Sequence, residues 1–367
     1  MKILYVSTST QRGGAENALR SLALAARAAG HSVKIISLKP IGIVAQELRT
    51  AGIETISFDV TAKLNLVQNA RALAQLIKEI QNFQPDVVHA VLYRAIQLCR
   101  QAKKYVTFKL ITTPHYDLSK QSFFKRLYDR GLKNADDISC AESQQVADFL
   151  LEKQKYVADK VRIIYNGVNA AYFKPDAQAR KQMREKLGFT SENIVFCCVA
   201  RLAIEKNQET LLHAFSWVHA KNPSARLLLV GDGAEREKLL DLVRRNNLEK
   251  EVFFAGEVSD VKPYLQAADV FVLPSKTESL PLALLEACAC GLPAIVSKAG
   301  DMPRVVMHGK TGFVFNGKDA ALLGMLMAEL LQNADLRQNM GKASRTRTEK
   351  NYPPTEQQYL KLYAEIV

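Results

Sequence analysis

The chain has 367 residues, 48% apolar and 24% charged, with a formal net charge of +13. That length exceeds what one hydrophobic core usually organises, so two domains of similar size are expected, while apolar runs such as LLLV at 227–230 and DVFVLP at 269–274 fall far short of the roughly eighteen residues that span a bilayer. Six cysteines at 99, 140, 197, 198, 288 and 290, with no C-x-x-C pair, argue against a disulfide framework or a structural zinc site and read as buried small hydrophobes.

The opening MKILYVSTST has too short an apolar run for a secretory leader and reads as a first β-strand, which implies a cytoplasmic protein, with peripheral attachment to the inner face of a membrane left open. Short apolar runs then alternate with helix-like segments: ILYVS, VKIISL, ETISF, DVVHA, FKLITT, DISCA and VRIIYN as far as residue 166. A polar, turn-containing stretch, NAAYFKPDAQARKQ, follows and reads as a hinge. The rhythm restarts with IVFCCVA, ARLLLVG, EVFFAG, DVFVLP, PAIVS and GFVF. This pattern predicts an α/β protein of two doubly wound, Rossmann-like domains facing across a cleft, with ligands at the carboxyl ends of the strands. The expected boundaries are 1–168, 169–350 and a C-terminal helix over 351–367 that packs back on the first domain.

Charge divides unevenly between these halves. Residues 1–170 hold 24 Lys and Arg against 14 Asp and Glu, whereas residues 171–367 hold 26 against 23. A basic first half invites an anionic partner, yet no nucleic-acid recognition motif accompanies the charge.

In chain order, the first strand–helix turn is QRGGAE at 11–16, where Gly13 and Gly14 allow close backbone approach to a ligand and Glu16 opens the helix. It is not the dinucleotide fingerprint, which needs an acid after the second strand where VKIISLKP has lysine. His115, in TTPHYD, follows a strand in the half expected to hold the acceptor, where it can orient a sugar hydroxyl or share charge. Asp117 is its nearest carboxylate in sequence; His89 reads as structural. Arg201 and Lys206, in ARLAIEKN after another strand, suit phosphate as a fork and a point charge. Gly231 and Val258 lie in two further strand-end turns whose backbone is expected to shape a nucleotide site. In TESLPLALLEACACGLPAIVS, Glu278 precedes a helix and Glu286 lies within it, eight positions later. Eight helical steps rise roughly 12 Å, so the two carboxylates suit the two ends of one elongated ligand, while free N–H groups around Ser279 and Leu280 suit a phosphate. A nucleotide sugar has that shape. No D-x-D occurs in the chain, so a divalent metal held by that motif is not expected, nor is any cofactor.

In this order, RGGAE, TPHYD, YNGVNAAYFKP, ARLAIEKN, LLLVGDGAEREKL, FAGEVSDVKPYLQAADVFVLPS and the Glu278–Glu286 motif resemble the retaining GT-B glycosyltransferases of the Glu-seven-Glu type, the family 4 enzymes labelled glycosyl transferases group 1. The resemblance covers almost the whole chain. It implies that Arg201 and Lys206 bind the diphosphate of a UDP- or GDP-linked sugar, Glu286 the ribose and Glu278 hydroxyls of the transferred hexose. It also implies that Gly14 lies against the diphosphate from the other domain and His115 near the sugar. Catalysis would then need no metal, because cations and backbone amides stabilise the departing diphosphate. Nucleotide-sugar epimerases share the architecture but lack this combination of motifs. The chain departs from the family at Ser279, where glycine often follows the glutamate, and at Asn169, where aspartate often follows NGV.

The segment SKQSFFKRLYDRGLKN at 119–134 mixes aromatic residues with Lys120, Lys125 and Arg126. Such a face suits an anionic membrane surface, and with it a glycan or lipid-linked acceptor; a soluble sugar or metabolite acceptor is the alternative.

Overall fold

The structure, a computed structural model, describes residues 1–11, 13–60, 66–114 and 123–367. His115, Asp117 and Lys120 therefore lie outside the described residues. The chain divides into two compact units, Met1–Tyr165 with Thr355–Val367, and Asn166–Pro354.

The first unit is built on strands β1 (Lys2–Ser7), β2 (Ser32–Ser37), β3 (Glu54–Ser57), β4 (Val87–Val91), β5 (Lys109–Thr113), β6 (Ile138–Ala141) and β7 (Val161–Ile163). They pair in parallel in the order β3-β2-β1-β4-β5-β6-β7. Because side chains alternate across a strand, Ile3 and Tyr5 enter one core with Leu19 and Leu22. Leu4 and Val6 enter the opposite core with Leu76 and Leu98. Both faces are covered, which is why the strand reads as an unbroken apolar run. The last helix, Thr355–Ile366, adds Tyr359, Leu362 and Tyr363 to the first of these cores.

The second unit holds β8 (Ile194–Val199), β9 (Ala225–Val230), β10 (Val252–Gly256), β11 (Val270–Leu273), β12 (Ala294–Ser297) and β13 (Gly312–Phe315). Again the pairing is parallel, in the order β10-β9-β8-β11-β12-β13. Each sheet runs outward one way from its first strand and then reverses, between β1 and β4 and between β8 and β11. Both are Rossmann-like, and the reversal point is where such sheets take ligands.

The stretch expected as a hinge is instead part of the second unit. Lys174 O accepts from Gln266 Nε2 at 2.7 Å, Phe173 O accepts from Arg345 Nη1 at 3.1 Å, and Tyr172 donates its hydroxyl to Asp260 Oδ2 at 2.8 Å. The Asp176 carboxylate then caps the helix Ala177–Lys186. Long-range partners fix a backbone that local composition reads as loose. The chain passes between units at Tyr165–Asn166 and Pro354–Thr355, a few residues from the expected 168 and 351.

Candidate functional site

Two loops of the second unit touch at the carboxyl ends of β8 and β9. Leu202 N–H donates to Asp232 O at 2.9 Å, and Glu235 N–H to Leu202 O at 3.0 Å. Gly231 and Gly233 make this approach possible: a Cβ there would fall 2.2 Å from Ala200 O and 2.3 Å from Leu202 O, and their φ values of +130° and +157° belong to glycine.

The loop that carries Arg201 and Lys206 is tied to the end of β11. Asn207 adopts a left-handed conformation and donates its amide to Pro274 O at 3.1 Å and Gly317 O at 2.7 Å. Gln208 Nε2 reaches back to Arg201 O, and Lys276 N–H reaches Glu205 O. So anchored, Lys206 Nζ meets Glu278 Oε1 at 2.7 Å, and Ser275 Oγ donates to the same oxygen at 2.7 Å. The side chains of Lys206 and Glu278 are 21% and 9% exposed. Arg201 is far more open, its guanidinium 2.5 Å from Glu205 Oε1.

The segment Glu278–Leu280 is held by its carbonyls. Asp301 N–H donates to Ser279 O and Asn166 Nδ2 to Leu280 O, each at 2.8 Å. Gly300, at φ +52°, packs so closely that a Cβ would lie 2.2 Å from Glu278 O. The N–H groups of Ser279 and Leu280 donate to no partner among the described residues, immediately before the helix Leu282–Ala289. Backbone amides ahead of a helix start have donor capacity of the kind that anions use.

Glu286 lies in that helix, where burial first and the charge of Asp260 second push its carboxyl up to about 7. That carboxyl makes no hydrogen bond or ion pair among the described residues, while the Glu286 backbone carbonyl accepts from Cys290 N–H at 3.0 Å. Asp260 is held by Tyr172 and by Lys262 N–H at 3.0 Å, and half-buried Val258 precedes it in the turn after β10.

Arg201, Lys206, Gly231, Val258, Glu278, Ser279, Leu280 and Glu286 all belong to the second unit, on loops and a helix that follow β8, β9, β10 and β11. Gly13, Gly14 and Glu16 open the helix Gly14–Ala28 of the first unit. A Cβ on Gly13 would lie 2.3 Å from Glu16 Oε2, whereas one on Gly14 would meet nothing within 4 Å. Lys125 is exposed and Arg126 half-buried on the helix Phe123–Leu132, whose Leu127 and Tyr128 are also exposed. His89 is buried in β4, with Nδ1 2.6 Å from Tyr363 Oη and Nε2 2.8 Å from Thr113 Oγ1. That is a structural histidine. All six cysteines are free and buried.

Sequence reasoning missed the roles of Ser275 and Asn207, which orient the pair and its loop, although Asn207 stood inside the ARLAIEKN motif and Ser275 closed FAGEVSDVKPYLQAADVFVLPS. It also missed the buried Arg100, which binds Asp136 with Nε and Nη2 and Asp129 with Nη1. This cluster fastens the helix Phe123–Leu132 through Asp129.

Residues 179–347 match the model described as "Glycosyl transferases group 1", and residues 12–172 match "Glycosyltransferase Family 4". The chain belongs to the group 1, family 4 glycosyltransferases. Among curated relatives of this glycosyltransferase, the N-acetyl-alpha-D-glucosaminyl L-malate synthase of Bacillus anthracis is 29% identical over 75% of the chain and 73% of its own length. A GDP-mannose-dependent monoacylated alpha-(1-6)-phosphatidylinositol monomannoside mannosyltransferase of Corynebacterium glutamicum is 37% identical over 50% of each. The chain spans 50% to 76% of the length of the first curated relatives it matches. Anabaena HepE, crystallised with UDP, has the same fold over the full length of both chains, with a TM-score of 0.88 at 23% identity. The fold class is GT-B. No helix among the described residues is long and apolar enough to cross a membrane.

Proposed function

We propose that this glycosyltransferase moves a hexose from a UDP- or GDP-linked donor, with retention at the anomeric carbon and without a metal, to a lipid-linked or cell-surface glycan acceptor. The observation that carries the reading is the Lys206–Glu278 pair beside the unused amides of Ser279 and Leu280. Lys206, Arg201 and those amides would take the diphosphate. Negative charge grows on it as the glycosidic bond loosens, and fixed donors stabilise that charge more than the ground state. Glu278 would accept from sugar hydroxyls and Glu286 from the ribose, with Gly231 and Val258 shaping the nucleotide's surroundings. Gly13, Gly14 and His115 would serve donor binding as well, and Glu16 the acceptor. A thermal-shift screen of UDP, GDP, ADP and CDP sugars tests the donor, and turnover undiminished in EDTA tests metal independence. Dependence on added magnesium or manganese would overturn that clause.

The acceptor clause is supported by the helix Phe123–Leu132, which exposes Leu127 and Tyr128 beside Lys125, and by a relative named for a phosphatidylinositol mannoside acceptor. Lys120, Lys125 and Arg126 would meet anionic headgroups. Flotation with anionic vesicles at low salt should carry the protein upward, and Lys125→Ala with Arg126→Ala should weaken that binding roughly 30-fold, at about 1 kcal/mol per cation near the surface. A relative named for malate as acceptor favours the soluble-acceptor reading, which turnover on a water-soluble acceptor, without flotation, would establish.

A further inference from the structure

Both cations assigned to the diphosphate already have carboxylate partners. Arg201 and Glu205 form an open pair, with side chains 69% and 40% exposed, so water screens it. Lys206 and Glu278 are far more enclosed. Glu278 is also pinned: Ser275, a buried residue, donates to the oxygen that faces Lys206, and Gly300 packs against the Glu278 carbonyl. Swinging this carboxylate aside when an anion arrives would break both side-chain contacts.

We infer that Glu278 makes the site discriminate the intact nucleotide sugar from the free nucleoside diphosphate, by standing as a fixed negative charge beside the ammonium that receives the phosphates. The inference rests on the donor site proposed above. A free nucleoside diphosphate brings its terminal phosphate, which bears the most charge, to Lys206 and hence close to Glu278. Like charges in so enclosed a place repel. In the intact donor that phosphate is esterified and carries less charge, and the sugar supplies hydroxyls that donate to the carboxylate. One side chain thus favours the substrate and opposes the product, which limits product inhibition and hastens release, a step that often sets turnover.

Titration calorimetry with UDP, GDP and their hexose conjugates tests this on the wild type and Glu278→Gln. The neutral variant should bind the nucleoside diphosphate about tenfold tighter, with the gain shrinking as salt rises. It should bind the intact conjugate several-fold more weakly. Glu205→Gln, at the screened pair, should change either affinity less than about threefold. Ser275→Ala keeps the charge but frees the carboxylate, so it should lower the ratio of conjugate to diphosphate affinity; it serves as the second variant should Glu278→Gln fold poorly. Loss of diphosphate and conjugate affinity in equal measure in Glu278→Gln would overturn the inference, as would an unchanged ratio in Ser275→Ala. If neither a nucleoside diphosphate nor its hexose conjugate binds the wild type, the donor-site reading itself has failed, a result distinct from either.

Discussion

Two sheets with the same strand logic treat their reversal points differently. Beside β1 and β4 of the first unit, His89 has both ring nitrogens against internal hydroxyls, and the aromatic rings of Tyr5, Tyr359 and Tyr363 crowd around it. Between β8 and β11 of the second, Lys206 keeps part of its side chain exposed, two amides have no partner among the described residues, and the Glu286 carboxyl has no hydrogen-bond partner among them. Topology selects the place; unused hydrogen-bonding capacity makes it the candidate site. A polar group whose valences are met inside the protein has little left for a ligand.

The sharpest way to break this contrast is Lys206→Ala. Turnover should fall on the order of 10²- to 10³-fold, the usual loss when one transition-state donor is removed, in a protein that stays folded but melts lower, because Glu278 loses its partner in an enclosed place. Steady-state kinetics at saturating donor decide it, and wild-type rates would end the contrast.

Glu286→Gln comes next and is read by pH. The folded carboxyl titrates near 7, above its ordinary 4.5, so the folded protein holds this proton more tightly than the unfolded chain does. Its contribution to stability is therefore full below about pH 4.5 and lost as pH rises to about 7. Urea unfolding should show the variant gaining on the wild type between pH 5 and pH 8, by up to about 3 kcal/mol. Wild-type donor affinity should meanwhile rise through pH 7, because the ionised carboxylate is the better acceptor for ribose hydroxyls. A flat difference across that range would remove the enclosed carboxylate from the argument.

His89→Phe is the smallest expected effect and the control for the first unit. It takes the histidine partner from the Tyr363 hydroxyl and leaves Thr113 Oγ1 with Tyr359 Oη alone, at a cost of about 1–3 kcal/mol in denaturant unfolding, while donor affinity stays within about twofold of wild type. A large loss of donor binding would mean that the sealed histidine also serves the donor.

The strands were legible because a parallel strand buried on both faces writes itself as a short apolar run, as ILYVS shows in sending Ile3 and Tyr5 to one core and Leu4 and Val6 to the other. Lys206 and Glu278 were legible singly, each after a strand. Their contact was not, since it joins side chains 72 positions apart through an anchor, Asn207, whose left-handed backbone no composition reveals. Distance along the chain also explains the misread hinge, because the groups that hold Tyr172, Phe173 and Lys174 lie 88 to 172 residues away. Arg100 stayed hidden for a similar reason: its two aspartates lie 29 and 36 positions further on, and a charge in an otherwise ordinary helix reads as solvated.

The placement of Thr355–Ile366 has a consequence for biosynthesis. A ribosome delivers residues 1–165 first, yet Tyr359, Leu362 and Tyr363 fill the core around Ile3, Tyr5 and Leu22. The unit begun earliest is thus completed last, and a nascent chain halted at Pro354 would carry a finished Asn166–Pro354 body beside a partner with an uncovered apolar flank.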